Sequence, residues 1–209
     1  LTGLVLVIAA TWLFLEGAFV LGLACGWIMT LLDTVDGKLA RVTVPTSPLG
    51  HVLDHGSEVL HPPFWYVAWG LGIGVPEIAG LPIETWCWLV GGGYVAGRLV
   101  EVLFHQLGHC GIFAWRPFDA YFRLVTARRN PCLIVLTVLL AGSGPDVAFL
   151  GVVVWTLSST TFLALRLLYA SVVRWRSGPR ESCLKDPERA HREHPRAWRM
   201  FSATRGAYH

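Results

Sequence analysis

Apolar residues run through this chain in long stretches with few interruptions. Residues 2 to 32 are almost wholly apolar, broken by Glu16 and Gly17, and further apolar runs cover about 59 to 75, 86 to 104, 131 to 142 and 147 to 173. A helix that crosses a bilayer needs about 20 such residues. The first run is too long for one crossing and a little short for two. A tight hairpin at Glu16-Gly17 resolves it, with the first helix lacking its beginning and the second continuing to about Arg41. The pattern therefore predicts an all-α protein, an integral membrane bundle of six transmembrane helices.

Charge is distributed in step with that count. Cytoplasmic connections are enriched in Lys and Arg. Segment 33 to 58 holds Lys38 and Arg41, stretch 105 to 130 holds Arg116, Arg123, Arg128 and Arg129, and the tail after 173 begins with Arg174, Arg176 and Arg180. The opposite connections, at 16–17, 76 to 85 and 141 to 146, contain Glu16, Glu77, Glu84 and Asp146 and no Lys or Arg. Six crossings with both termini cytoplasmic fit every connection, whereas five or seven would mix the signs. Residues 1–176 are read as the transmembrane domain and 177–209 as a basic, polar cytoplasmic tail. Trp86, Trp88 and Trp175 fall where interface anchors belong.

Composition sharpens the class. Hydrophobic residues make up 54% of the chain and charged residues only 15%, against about a quarter charged in soluble domains. The basic residues follow the loops and not one soluble face, so no nucleic-acid partner is expected. Five cysteines without a C-x-x-C pair read as small buried hydrophobes, not a disulfide framework. The chain starts at Leu1, inside an apolar run, and reads as lacking its natural beginning. Gly91-Gly92-Gly93 with Gly97 points to close helix packing in the fourth run.

The segment from Asp33 to Glu58 carries the chemistry. Asp33 ends an apolar run and Asp36 follows one turn later, so the two share a helix face. Asp54 and Glu58, at i and i+4, do the same. Carboxylates at membrane depth are costly and usually functional. Two helices that each offer a pair of carboxylates can enclose hard divalent cations through oxygen. Four adjacent acids raise one another's pKa unless positive charge compensates them, and two Mg²⁺ or Mn²⁺ ions would supply that charge. Such a metal pair can hold a pyrophosphate and stabilise attacking and leaving oxygens together. Gly37 and Gly50 leave room for a nucleotide, Ala40 is small, and Arg41 can neutralise a phosphate. Pro45 and Pro48 turn the chain back between the half-sites. The plainer alternative is a solvated loop whose acids pair with Lys38 and Arg41.

The full pattern, D-x2-D-G-x2-A-R-x8-G-x3-D-x3-E from Asp33 to Glu58, resembles the signature of the CDP-alcohol phosphotransferase family. That signature ends in Asp where this chain has Glu58. The resemblance implies a six-helix bundle, usually a homodimer, in the cytoplasmic membrane with its site open to the inner leaflet. It implies that Asp33, Asp36 and Asp54 hold metal, that Gly37, Ala40, Arg41 and Gly50 lie against the CDP group, and that Glu58 is both a metal ligand and the base for the acceptor hydroxyl. The expected reaction moves a substituted phosphate from a CDP-linked donor to an alcohol acceptor and releases CMP, in phospholipid synthesis among membrane lipids. The extra methylene of Glu58 leaves a metal-binding but inactive relative as one alternative. A membrane transporter is the other, although the chain shows no internal repeat of the kind transporters carry.

Side chains near the motif have quieter expectations. His51, His55 and His61 are read as packing or hydrogen-bonding groups, because oxygen-rich Mg²⁺ sites do not favour imidazole. Arg98, Glu101 and His105 share one face of the fourth run, either as an acceptor subsite or as an internal ion pair. Arg123, Arg128 and Arg129 are explained by the charge bias of the loops, with headgroup or acceptor-phosphate binding as an addition.

Overall fold

The computed structural model describes residues 2–43, 61–108, 110–177 and 192, with side chains described in all of these except 36–43, 108 and 177. These residues are almost entirely helical. Helix α1 spans Thr2–Leu15 and α2 spans Phe19–Thr43. The described part of α3 covers 61–72. A short hairpin, β1 (Glu77–Ile78) with β2 (Leu81–Pro82), precedes α4, Ile83–Gly108. Then come α5 (Ile112–Trp115), α6 (Pro117–Val125), α7 (Arg129–Ser143) and α8 (Pro145–Ser177). The chain divides into two compact units, residues 1–94 with 127–157 and residues 95–126 with 158–209.

The predicted hairpin at Glu16-Gly17 is present. Gly17 takes φ +74°, a left-handed conformation that glycine adopts without strain. The N–H of Ala18 donates to the carbonyl of Leu13 at 2.8 Å and that of Gly17 to Phe14 at 3.1 Å, which satisfies two carbonyls that the end of α1 would otherwise leave bare. At Gly144, φ +103°, the chain turns again, its N–H donating to the carbonyl of Leu139. Pro145 then opens α8, where a missing N–H costs nothing.

The core of the first unit gathers around two tryptophans. Trp65 and Trp69 are fully buried, and Phe14 meets Trp69 at 5.1 Å between ring centroids. A buried indole N–H needs an acceptor. Trp65 donates to the carbonyl of Val7 and Trp69 to that of Pro145, each at 3.1 Å. Gly72 lies so close to α1 that a Cβ there would fall 1.7 Å from the carbonyl oxygen of Phe14. Of the four α4 glycines expected to pack closely, Gly93 and Gly97 do, whereas a Cβ on Gly91 would be in ordinary contact with Val67 at 3.7 Å and one on Gly92 would meet no atom within 4 Å. A Cβ on Gly93 would stand 3.0 Å from Leu157, and one on Gly97 would stand 2.9 Å from Thr160.

Helices α4 and α8 are each long and apolar enough to cross a membrane, and α6 with α7 makes a third if the two form one broken span. Thr2–Leu15 and Phe19–Val35 are apolar but shorter. This is the architecture of a membrane protein. Trp88 and Trp175 are among the most exposed side chains, at 81% and 86%. Trp86 is instead part-buried and donates to the carbonyl of Ile78 in the hairpin, at 2.9 Å. Among the described cysteines, Cys87, Cys110 and Cys132 are buried and Cys25 is half-buried.

Candidate active site

Helix α2 carries the first half of the acidic motif. It begins as an apolar helix at Phe19 and runs without a break through Asp33, Asp36, Gly37, Ala40 and Arg41 to Thr43. Asp33 and Asp36 therefore sit one turn apart on a single helix, as their spacing requires. Gly50, Asp54 and Glu58, with His51 and His55, lie outside the described residues.

Asp33 has a partner that sequence reasoning did not provide. The Nη2 of Arg129 stands 2.7 Å from Oδ2 of Asp33, with side-chain exposures of 12% for the arginine and 26% for the aspartate. Arg129 is the first residue of α7. Its other nitrogens are held as well. Nη1 lies 3.4 Å from the sulfur of Met29, one turn before Asp33, and Nε donates to Oδ1 of Asn130 at 3.1 Å. Farther along the same two helices, Nε1 of Trp27 donates to Oγ1 of Thr137 at 3.1 Å, and Thr137 donates back to the carbonyl of Leu133. The pairs 27–137 and 33–129 show that α2 and α7 run antiparallel. They also fix the height of the acidic end of α2 against the start of α7. The charge bias of the loops accounted for Arg129 in the sequence, and the structure gives it a second task beside the first motif acid.

The donor chemistry at Asp33 suits a hard cation. The arginine takes one carboxylate oxygen and leaves the other, Oδ1, as a hard donor beside a part-exposed surface. Among the described residues no set of three or more His, Cys, Asp or Glu side chains converges. The other three motif acids fall outside the described side chains.

Residues 1–104 match the model of the CDP-alcohol phosphatidyltransferase family. By that segment the chain belongs to the CDP-alcohol phosphatidyltransferase family. The CDP-alcohol phosphatidyltransferase match ends inside α4, and it includes every residue of the Asp33-to-Glu58 motif. No curated protein and no solved structure matches the chain. The family is one of transferases.

The structure gives neighbours to three of the remaining candidates. His61 is 5% exposed and meets the Trp65 ring edge-on at 4.8 Å, so it packs as expected. Arg98 and Glu101 form the ion pair that their spacing allowed, Nη2 to Oε1 at 2.6 Å, while His105 is exposed.

Besides the Arg129 partner of Asp33, two further features were missed in the sequence. One is the pair of short helices α5 and α6 in the segment read as a basic connection. Pro117, which stands at the start of α6, was the available signal. The other is the ion pair between Asp119 and Arg166. A charged residue inside the sixth apolar run was itself a reason to look for a partner.

Proposed function

We propose that this protein is a metal-dependent CDP-alcohol phosphotransferase that moves a substituted phosphate from a CDP-linked donor to an alcohol and releases CMP. The observation that carries the reading is the Asp33 end of α2. An apolar helix delivers the first motif acid, and the next four motif positions, through Arg41, continue on the same helix. The family match over residues 1–104 supports it.

In this reading Asp33, Asp36, Asp54 and Glu58 hold two divalent ions, Mg²⁺ or Mn²⁺. When bound, the metals neutralise the diphosphate and the leaving CMP oxygen. Gly37, Ala40 and Gly50 admit the nucleotide close to backbone, and Arg41 pairs with a donor phosphate. Glu58 accepts the proton of the acceptor hydroxyl as that oxygen attacks phosphorus. One P–O bond forms to the acceptor, and the P–O bond to CMP breaks. General-base help of this kind is typically worth about 10²–10⁴-fold. Arg129 orients Asp33 through the 2.7 Å contact and lowers the charge the acid cluster carries before metal arrives.

We place six crossings in the cytoplasmic membrane, with both termini and the site on the cytoplasmic side, and a homodimer as the working form. The distribution of Lys and Arg along the connections supports the orientation.

The test is CMP release from purified protein with Mn²⁺ or Mg²⁺. One arm offers CDP-diacylglycerol with polar alcohols, and the other offers CDP-headgroups with lipid alcohols. Product formation in either arm assigns the donor class. Glu58→Asp is expected to retain turnover and Glu58→Gln to lose it. Equal CMP release from wild type and Glu58→Gln would remove Glu58 as the base.

A further inference from the structure

Helix α6 is turned inside out relative to a helix on a water-soluble surface. Its nine residues bury Asp119 and Ala120, at 2% exposure each, and present Phe118, Tyr121, Leu124 and Val125 at 62, 38, 53 and 47%. The four exposed positions form one continuous stripe, since 118, 121 and 125 share a helical face and 124 borders it. A stripe of this composition has no favourable contact with water.

The buried side is what fixes the orientation. Nε and Nη2 of Arg166, on α8, lie 2.7 and 2.5 Å from the two carboxylate oxygens of Asp119. Phe162, one turn earlier on α8, packs against Phe122 at 4.1 Å and Phe118 at 6.0 Å between centroids. Rotating α6 to hide the stripe would pull Asp119 away from Arg166 and leave a buried charge alone, which is costly.

Position along α8 supplies the depth. Residues 147–165 carry no charge. At 1.5 Å per residue they span about 28 Å, close to one hydrocarbon thickness. The apolar run continues through Val173 to Arg174, so Arg166 stands in the last third of it, about 12 Å before its basic end, and α6 is held beside it. Nine residues reach only about 14 Å, too short to cross alone, and α6 is bent by 47° from α7.

At the N-terminal end of the stripe stands Arg116. It is exposed, and its guanidinium lies over the rings of Trp115 and Tyr169, at 4.8 and 5.4 Å from their centroids. Arg166 lies near the same two rings, at 4.8 and 5.6 Å. Stacking holds the Arg116 plane in place and leaves N–H edges for an anion, Tyr169 Oη accepting from Nη2 at 3.5 Å.

We infer that α6 lies in the membrane interface and, with Arg116, forms a binding surface for anionic phospholipid. The stripe of Phe118, Tyr121, Leu124 and Val125 enters the acyl boundary, and Arg116 pairs with the phosphodiester at headgroup level. This surface lies beyond the 1–104 segment that matches the family, and it does not depend on the transferase reading.

The full chain, reconstituted in vesicles of equal phosphatidylglycerol and phosphatidylcholine, tests it directly. p-Benzoylphenylalanine replaces Phe118 or Leu124, the sample is illuminated, and adducts are identified by mass spectrometry. The expected result is phospholipid adducts at both positions, with phosphatidylglycerol favoured about fivefold, the weight of one arginine near an anionic surface. Arg116→Gln is expected to bring the two lipids to parity, and Arg116→Lys to keep most of the preference. Adducts to a second copy of the chain, or none to lipid, overturn the placement. Capture of both lipids in proportion to the vesicle, unchanged by Arg116→Gln, overturns the anionic preference.

Discussion

Asp119 and Arg166 meet fork to fork, each carboxylate oxygen receiving one guanidinium nitrogen, at a site where the aspartate is only 2% exposed. Breaking a buried pair by removing one partner typically costs about 3–5 kcal/mol, because the other charge stays behind. Asp119→Asn should lower the melting temperature of the detergent-solubilised protein markedly. Removing both charges with Asp119→Leu and Arg166→Met should recover much of the loss. A thermal denaturation series over the two single variants and the double variant checks this. Additive losses in the double variant would show that the two side chains act separately.

Arg129 makes a similar pair with Asp33, but at a part-exposed site beside the motif. Hydrogen bonds to charged groups contribute about 1.5–3 kcal/mol. Arg129→Gln should therefore destabilise the metal-free protein. It should also enlarge the stabilisation that added Mn²⁺ produces, since Asp33 then keeps both oxygens for the cation. A Mn²⁺ titration followed by thermal shift and calorimetry reads both effects. An unchanged Mn²⁺ response would separate Arg129 from the metal site.

The close approach at Gly72 leaves no room for a side chain. A Cβ at 1.7 Å from the Phe14 carbonyl oxygen forces the backbone of α1 or α3 to move. Overpacking of a tight core typically costs about 1–3 kcal/mol and occasionally more. Gly72→Ala should reduce the monodisperse yield on size-exclusion chromatography. Gly74→Ala meets no atom within 4 Å but has φ +73°, so it should show the smaller loss due to backbone strain alone.

In the β1–β2 hairpin, Ala79 and Gly80 both take positive φ, +50° and +80°. The left-handed region costs a residue with a Cβ about 1–2 kcal/mol. Ala79→Gly removes that strain while adding freedom to the unfolded chain. The expected net is a gain of roughly 0.5 kcal/mol by these opposing effects. Ala79→Val should lose stability instead, and paired melting curves decide the sign.

The sequence revealed most where one physical constraint dominated. Long apolar runs announced α1, α2, α4, α7 and α8, and Glu16-Gly17 announced the turn between the first two, because backbone polar groups in lipid have to be satisfied within the helix. The 33–58 motif was legible because its spacing is fixed by chemistry, and five of its positions lie on one helix, from Asp33 to Arg41. Long-range partners were not legible. Arg129 looked like a topological charge, since nothing local to it names Asp33, 96 residues away. Asp119 and Arg166 are 47 residues apart, on elements with different periodic patterns. Helix α6 escaped because an amphipathic helix that buries its acid and exposes its rings reverses the usual reading of a polar and an apolar face.

The family match stops at residue 104, inside α4, whereas Trp65, Trp69 and Val90 share their core with Leu133, Leu136, Phe149 and Val152. The inherited signature is thus a stretch of sequence and not a separable piece of protein. A chain cut at residue 104 would strand its tryptophans without their neighbours. Residues beyond the match, from α7 and α8, complete the space around them.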